Sequence, residues 1–307
     1  MSGSEWQRHE VDEHQLTIIR PVLERYRHYW PLPPRQVYYQ VVREGGAGLW
    51  MDEFAGFAGT IRTALIDGLL PLVALTEQSD DLREGGAWED TEEFVHSEIE
   101  SFLWGYRRDL LQGQDRHVEV WVQKPDLLDQ IGEVAVAYCV TTACCRHLPT
   151  VRFMHELRTR LGEERSRSQP AVILFFGDYT PEGAGFLSRV QESLRTDGNL
   201  WEMEFRHEAL TADDVVKYAL PESVVTRSRK SHGTADHATV PVELEALPPD
   251  VLADRVRAAI ETQLDMELVN NQRAIQSREA LRLGKLRANI MRRLRSVLKE
   301  LMPHGEG

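Results

Sequence analysis

The sequence predicts an α/β protein with an α+β N-terminal part, and two patterns along the chain indicate this fold class. Residues 11–116 follow a helical period, with apolar residues three and four positions apart. From His117 onward, strand-like segments alternate with helix-like segments, which is typical of a parallel sheet covered by helices. The chain of 307 residues is long enough for two domains or for one large domain.

The N-terminal part is predicted to be mainly helical. Helices are expected over residues 11–29, 35–44, 52–70 and 88–112. The proline cluster at 31–34 and the glycine-rich segment 45–48 separate the first three, and Gly113 ends the last. Three short helices followed by a hairpin-like stretch fit a winged-helix arrangement.

The middle of the chain predicts four strands with helices between them. The strand candidates are residues 117–123, 134–140, 171–176 and 201–206, and the helix candidates are 125–131, 146–161 and 181–195. This βαβαβαβ order predicts a parallel, doubly wound sheet. In such sheets the functional residues lie beyond the carboxyl ends of the strands. Gln123-Lys124 and Gly177-Asp178 follow two of these strands.

The C-terminal part predicts another strand at 240–244, an amphipathic helix from about 248 to 268, and a basic helix at the end. Residues 271–302 hold nine Lys and Arg against two Glu, a net charge of +7, which leaves −20 on the rest of the chain. The basic face either packs on the acidic body of the protein itself or contacts phosphates or an acidic partner. We expect domains at 1–113, 114–245 and 246–307.

Composition and motif searches exclude several function classes. The net charge of −13 excludes a wholly basic nucleic-acid coat, and no apolar run approaches the roughly 18 residues of a membrane span. The sequence has no phosphate-binding GxxxxGK[ST] loop, no GxSxG nucleophile elbow and no HExxH zinc motif. Without a visible secretory signal, the chain is expected to be cytoplasmic, with no membrane partner.

Four segments, in this order, carry a resemblance to a known family. They are residues 35–42 (RQVYYQVV), 118–124 (VEVWVQK), 177–183 (GDYTPEG) and 242–249 (VELEALPP). Together they resemble the Toprim proteins related to the A subunit of topoisomerase VI and to the Spo11 recombination nuclease, particularly their short bacterial and phage relatives. The resemblance covers residues 16 to 265 and implies a winged-helix-like domain, a Toprim-like sheet and C-terminal helices.

The resemblance implies a nucleophile and a metal site. Tyr39 stands at the position of the tyrosine that attacks a DNA phosphodiester, and Arg35 at the position of the arginine that holds it. In this family a Glu and two Asp bind Mg²⁺, but here Gln123 replaces the Glu, Asp178 matches the first Asp, and Thr180 replaces the second. An amide and a hydroxyl are poor ligands for Mg²⁺, so a Mg²⁺ cofactor is expected to bind weakly.

Further positions have expected roles. Glu243 and Glu245 match a family position usually written Glu-Leu-Asp, and we expect them to be structural residues at the end of the sheet. The candidate contacts to DNA are Arg43, Lys124, Arg287, Arg292, Arg293 and Arg295.

We therefore expect a DNA-associated, catalytically degenerate relative of this group that acts as a binding or scaffolding component. It would work with a protein partner or as a homodimer. One alternative is an active Mg²⁺-dependent nuclease that uses Tyr39 and Asp178, and another is a protein-interaction module without DNA.

Overall fold

The computed structural model describes residues 11, 13–46, 54–76, 86–162, 170–200, 203–221 and 241–301. The chain forms two compact units. The first combines Met1–Gln78 with Asp115–Leu264, and the second combines Ser79–Gln114 with Asp265–Gly307. The predicted segments 1–113 and 246–307 each contribute residues to both units.

Helices and parallel strands make up the described structure. The strands are β1 (His117–Val122), β2 (Thr141–Cys144), β3 (Ala171–Phe176) and β4 (Met203–Ala209). The α-helices in chain order are α1 (Glu13–Arg25), α2 (Pro34–Val41), α3 (Phe54–Ile66), α4 (Thr91–Ser101), α5 (Leu128–Val136), α6 (Val151–Leu161), α7 (Pro181–Thr196), α8 (Ala212–Lys217), α9 (Pro249–Gln263) and α10 (Met266–Leu301). Among these helices, none has the combination of length and apolar character that crossing a bilayer requires.

The predicted α/β class and parallel sheet are confirmed. The four strands are all parallel and lie in the order β2-β1-β3-β4. The central strand β3 is buried along its whole length, as expected for a strand covered by helices on both faces. On β1, Trp121 is fully buried and packs edge to face on Phe153 and Phe205, with ring centroids 5.0 and 5.7 Å away.

One carboxylate lies in this core. Glu119 on β1 is fully buried and accepts hydrogen bonds from Arg160 Nε at 2.8 Å and Trp121 Nε1 at 2.9 Å, while His117 Nε2 lies 3.1 Å away. Burial alone would raise the pKa of Glu119, but the hydrogen bonds from His117, Arg160 and Trp121 outweigh it and lower the pKa to about 2. The carboxylate is therefore ionised and paired inside the core.

The strand predicted at 134–140 is wrong. The first residues of that run complete α5, and β2 begins only at Thr141. Leu127, Ile131 and Ala135, four residues apart, are buried, whereas Val136 is 44% exposed. This is the burial period of a helix, and a short apolar run does not by itself distinguish a helix from a strand.

Two other predictions need correction. The helix predicted over 88–112 is only α4, because Leu103 and Gly105 adopt φ values of +58° and +80°, which no helix continues through. The strand predicted at 240–244 is an isolated bridge between Val242 and Tyr179, followed by a 3₁₀ turn at Leu244–Ala246; Val240 lies outside the described residues.

The N-terminal helices lie close to their predicted positions. Pro34 occupies the first turn of α2, where its missing N–H costs no hydrogen bond, and a π-helical turn at Val42–Gly46 continues the helix. A bridge between Leu32 and Leu75 joins the segments before α2 and after α3. The winged-helix arrangement remains a prediction.

Candidate functional site

The carboxyl ends of β1 and β3 bring two predicted segments together. Val122 and Phe176 are partners in the parallel ladder, so the residues that follow them lie side by side. The Asp178 backbone N–H donates to Gln123 Oε1 at 3.1 Å. A Cβ at Gly177 would lie 2.6 Å from Phe175 Cε1 and 2.7 Å from Gln123 Oε1, so a larger residue there would force these two side chains to move.

The segment 242–245 lies against the end of β3. Tyr179 and Val242 exchange two backbone hydrogen bonds of 2.9 Å each. The Leu244 backbone N–H donates to Asp178 Oδ1 at 2.9 Å. These contacts hold the side chains of Glu243 and Glu245 at the same edge of the sheet.

Glu243 joins this edge to α2. Arg35 Nη1 lies 2.8 and 3.0 Å from the two carboxylate oxygens of Glu243, and the Tyr39 hydroxyl donates to Glu243 Oε2 at 2.6 Å. Arg35 and Tyr39 are four residues apart, so both project from one face of α2. The guanidinium of Arg35 also lies 4.4 Å from the ring centroid of Phe54.

Lys124 pairs with the other two carboxylates. Its Nζ lies 3.1 Å from Asp178 Oδ2 and 3.4 Å from Glu245 Oε2. Glu245 is 3% exposed, and its Oε2 is a buried oxygen with no directed hydrogen bond, so Lys124 interacts with it as a charge. We call Arg35, Lys124, Asp178, Glu243 and Glu245 the carboxylate cluster; it holds two basic and three acidic side chains.

Burial and neighbouring charges shift the pKa values in this cluster. Burial, with the charges of Asp178 and Glu243, outweighs Lys124 and raises the pKa of Glu245 to about 7. Burial would also raise the pKa of Glu243, but Lys124, Tyr39 and Arg35 together lower it. For Lys124, burial would lower the pKa, yet the three carboxylates raise it and keep the ammonium charged.

The residues present do not fit a Mg²⁺ ion. Asp178 directs one oxygen to the Leu244 N–H and the other to Lys124, and Gln123 Oε1 accepts the Asp178 N–H. Thr180, at the third ligand position, is half-buried. Mg²⁺ needs near-octahedral oxygen ligands, and the carboxylates here already surround an ammonium group. Among the described residues, no three His, Cys, Asp or Glu side chains are grouped as a metal site.

The candidate DNA contacts lie in several places. Arg43 is exposed on the π-helical turn, and Lys124 belongs to the carboxylate cluster. In the second unit, Arg292 and Arg293 are exposed on α10. Arg295 lies near the end of α10, where only the backbone is described.

Arg287 has partners within the second unit. It donates to the backbone carbonyls of Phe102 at 2.9 Å and Glu100 at 2.7 Å, and its guanidinium lies 5.1 Å from the ring centroid of Trp104. Trp104 itself is 71% exposed. Together with Leu283 and neighbouring residues these side chains line a groove of about 1280 Å³.

The sequence interpretation found part of this site and missed part of it. The sequence predicts Arg35, Tyr39 and Asp178 as site residues, and the structure brings all three to one edge of the sheet. Glu243 and Glu245 were given a structural role only, although both interact with predicted site residues. The available signal was two acidic residues within the otherwise apolar segment 242–249, since buried carboxylates usually have cationic partners.

Comparison with family models, curated proteins and solved structures finds no match to this chain.

Proposed function

We propose that the protein is a DNA-associated, catalytically degenerate relative of the Toprim proteins that acts as a binding or scaffolding component. The observation that supports this most directly is the state of the residue at the nucleophile position. Tyr39 is 2% exposed, and its hydroxyl donates to Glu243. A tyrosine that attacks a phosphodiester has to present its oxygen to the substrate.

Glu243 is poorly suited to activate Tyr39 as a base. A phenol titrates near 10 and a carboxyl near 4.3, so the transfer of the proton costs roughly 8 kcal/mol between groups of ordinary pKa. The pKa of Glu243 is lowered further, because Lys124, Tyr39 and Arg35 outweigh its burial. The arrangement therefore favours a neutral tyrosine that ties α2 to the sheet edge.

Association with DNA is supported by exposed basic side chains. Arg292 and Arg293 are exposed on α10, and Arg43 is exposed next to α2. Exposed guanidinium groups bind phosphate oxygens and release counterions, so such binding weakens steeply with salt. A homodimer or a protein partner belongs to this proposal as the assembly in which the chain works.

The catalytic part is tested with supercoiled plasmid. We expect no nicking with Mg²⁺ or Mn²⁺, either for the protein as it is or for Tyr39→Phe. Metal-dependent nicking that disappears in Tyr39→Phe and Asp178→Ala would establish the active nuclease instead.

The DNA part is tested by fluorescence anisotropy with duplex DNA over a range of salt concentrations. We expect the double variant Arg292→Gln, Arg293→Gln to bind more weakly and with a lower salt slope, because each lost phosphate contact lowers that slope by about 1. The matched control is Arg152→Gln, an exposed arginine of α6. Equal binding by all three proteins would contradict this role for α10.

A protein-interaction module is the second candidate, and the groove of the second unit favours it. The groove combines the exposed ring of Trp104 with Arg287 and Arg292, which suits an acidic amphipathic segment. Two results together would favour this candidate over the DNA proposal. The protein would fail to bind DNA, and it would bind a synthetic acidic amphipathic peptide through a contact that Trp104→Ala abolishes.

A further inference from the structure

We propose that the ammonium group of Lys124 is a resident counter-cation, which occupies in this chain the place that a divalent ion would need between Asp178 and Glu245. This inference deepens the proposed function, because it identifies what balances the acidic site without a metal. Nζ lies 3.1 Å from Asp178 Oδ2 and 3.4 Å from Glu245 Oε2. The carboxylates of Asp178 and Glu245 therefore share the single positive charge of the Lys124 ammonium.

The position of Lys124 is fixed by the sheet. It is the second residue after β1, and the Gln123 N–H donates to the Phe176 carbonyl at 2.9 Å, which extends the ladder past the last strand residues. The Lys124 side chain is about one-fifth exposed. The backbone therefore places Lys124 at the edge of the sheet where Asp178 and Glu245 lie, and its largely enclosed side chain reaches both carboxylates.

The partners of Lys124 indicate that the pairing is specific. Glu245 Oε2 is buried without a directed hydrogen bond, so removal of the ammonium would leave this oxygen with no nearby positive charge of the same strength. Arg35 cannot replace it directly, because its Nη1 is already paired with both oxygens of Glu243. Buried carboxylates without a counter-charge are strongly destabilising.

The charge balance of the carboxylate cluster favours Lys124 over a divalent ion. With Lys124 and Arg35 present, the three carboxyl groups already face two positive charges, so an added Mg²⁺ would gain little and would have to approach the ammonium closely. Without Lys124, two carboxylates remain near one point. Mg²⁺ is commonly held by one or two carboxylates together with water.

The test uses the full chain with Lys124→Met, which keeps an unbranched side chain, one heavy atom shorter than lysine, and removes its charge. In EDTA we expect Lys124→Met to melt about 5 °C or more below the unsubstituted protein. MgCl₂ or MnCl₂ should restore most of that loss in Lys124→Met and leave the Tm of the unsubstituted protein unchanged. The double variant Lys124→Met, Asp178→Asn should lose the metal response.

Lys217→Met is the matched control, because Lys217 is an exposed lysine of α8. It should melt like the unsubstituted protein with and without metal. A Lys124→Met protein that does not respond to divalent ions would overturn the inference, while the proposed lack of DNA cleavage would stand.

A second measurement uses the unsubstituted protein, so it does not depend on whether a variant folds. Electron paramagnetic resonance of MnCl₂ with the unsubstituted protein reports free Mn²⁺, and we expect the signal of buffer alone. Stoichiometric loss of that signal would overturn the inference, because it would show that a divalent ion binds despite Lys124. Plasmid nicking, by contrast, would overturn the proposed function.

Discussion

At the scale of single residues, the pairing of the buried Glu119 with the partly exposed Arg160 is the clearest electrostatic feature of the core. Arg160→Met removes two hydrogen bonds and leaves a buried carboxylate without its main counter-charge. We expect this substitution to lower the free energy of unfolding by about 3–5 kcal/mol, measured in urea. Arg152→Met, which breaks the exposed pair with Glu156, should have no measurable effect. Equal effects of the two substitutions would contradict the buried pair.

The same carboxylate predicts a dependence on pH. The pKa of Glu119 is lowered from 4.5 to about 2, so the folded protein binds this proton more weakly than the unfolded chain does. Its contribution to stability is therefore complete above about pH 4.5 and is lost as the pH falls toward 2. Glu119→Gln should show a smaller loss of stability over that range in urea titrations at several pH values. An unchanged slope would contradict the lowered pKa.

Residue types revealed the site only in part. Arg35, Tyr39 and Asp178 stand out only because the family resemblance places them at the positions of reacting and metal-binding groups. Glu243 does not, since its role depends on a contact with α2 across more than two hundred residues of chain. Local sequence carries no information about such a distance, and only the fold brings the two segments together.

At the scale of secondary structure, α5 offers a direct test of which face of the helix is buried. Ala135 is fully buried, whereas the next residue, Val136, is 44% exposed. Ala135→Glu should cost about 3 kcal/mol or more, because it places an unpaired charge in the core. Val136→Glu should stay within about 0.5 kcal/mol of the unsubstituted protein. Thermal melts of the two variants measure this, and the reverse order would contradict the burial of Ala135 and the exposure of Val136.

Elements with strong local signals were predicted well. The alternation in β1, the apolar run of β3 and the proline at the start of α2 each fix an element, and all three lie near their predicted bounds. The strand prediction for residues 134–140 was wrong because an apolar run next to a helix can extend that helix. The predicted end of α4 was wrong because the residue type of Leu103 does not reveal its positive φ.

At the scale of the whole molecule, the two units differ in how much they bury. No residue of α4 is buried, and among the described side chains of α10 only Val269 and Met291 are. We expect the amides of α4 to exchange with deuterium much faster than those of β3, because little buried surface protects them. Helix α9, which has a buried face in the first unit, is the control and should exchange slowly. Equal protection of α4 and α9 would contradict this ranking.

The strand order has a consequence for how such a site can change. Chain connections leave β1 toward β2 on one side and reach β3 on the other, so the topological switch point of the sheet lies between β1 and β3. The strand order alone sets the position of this switch point, whichever side chains follow the two strands. A substitution at Gln123, directly after β1, therefore changes the chemistry beside Asp178 without a change in strand order.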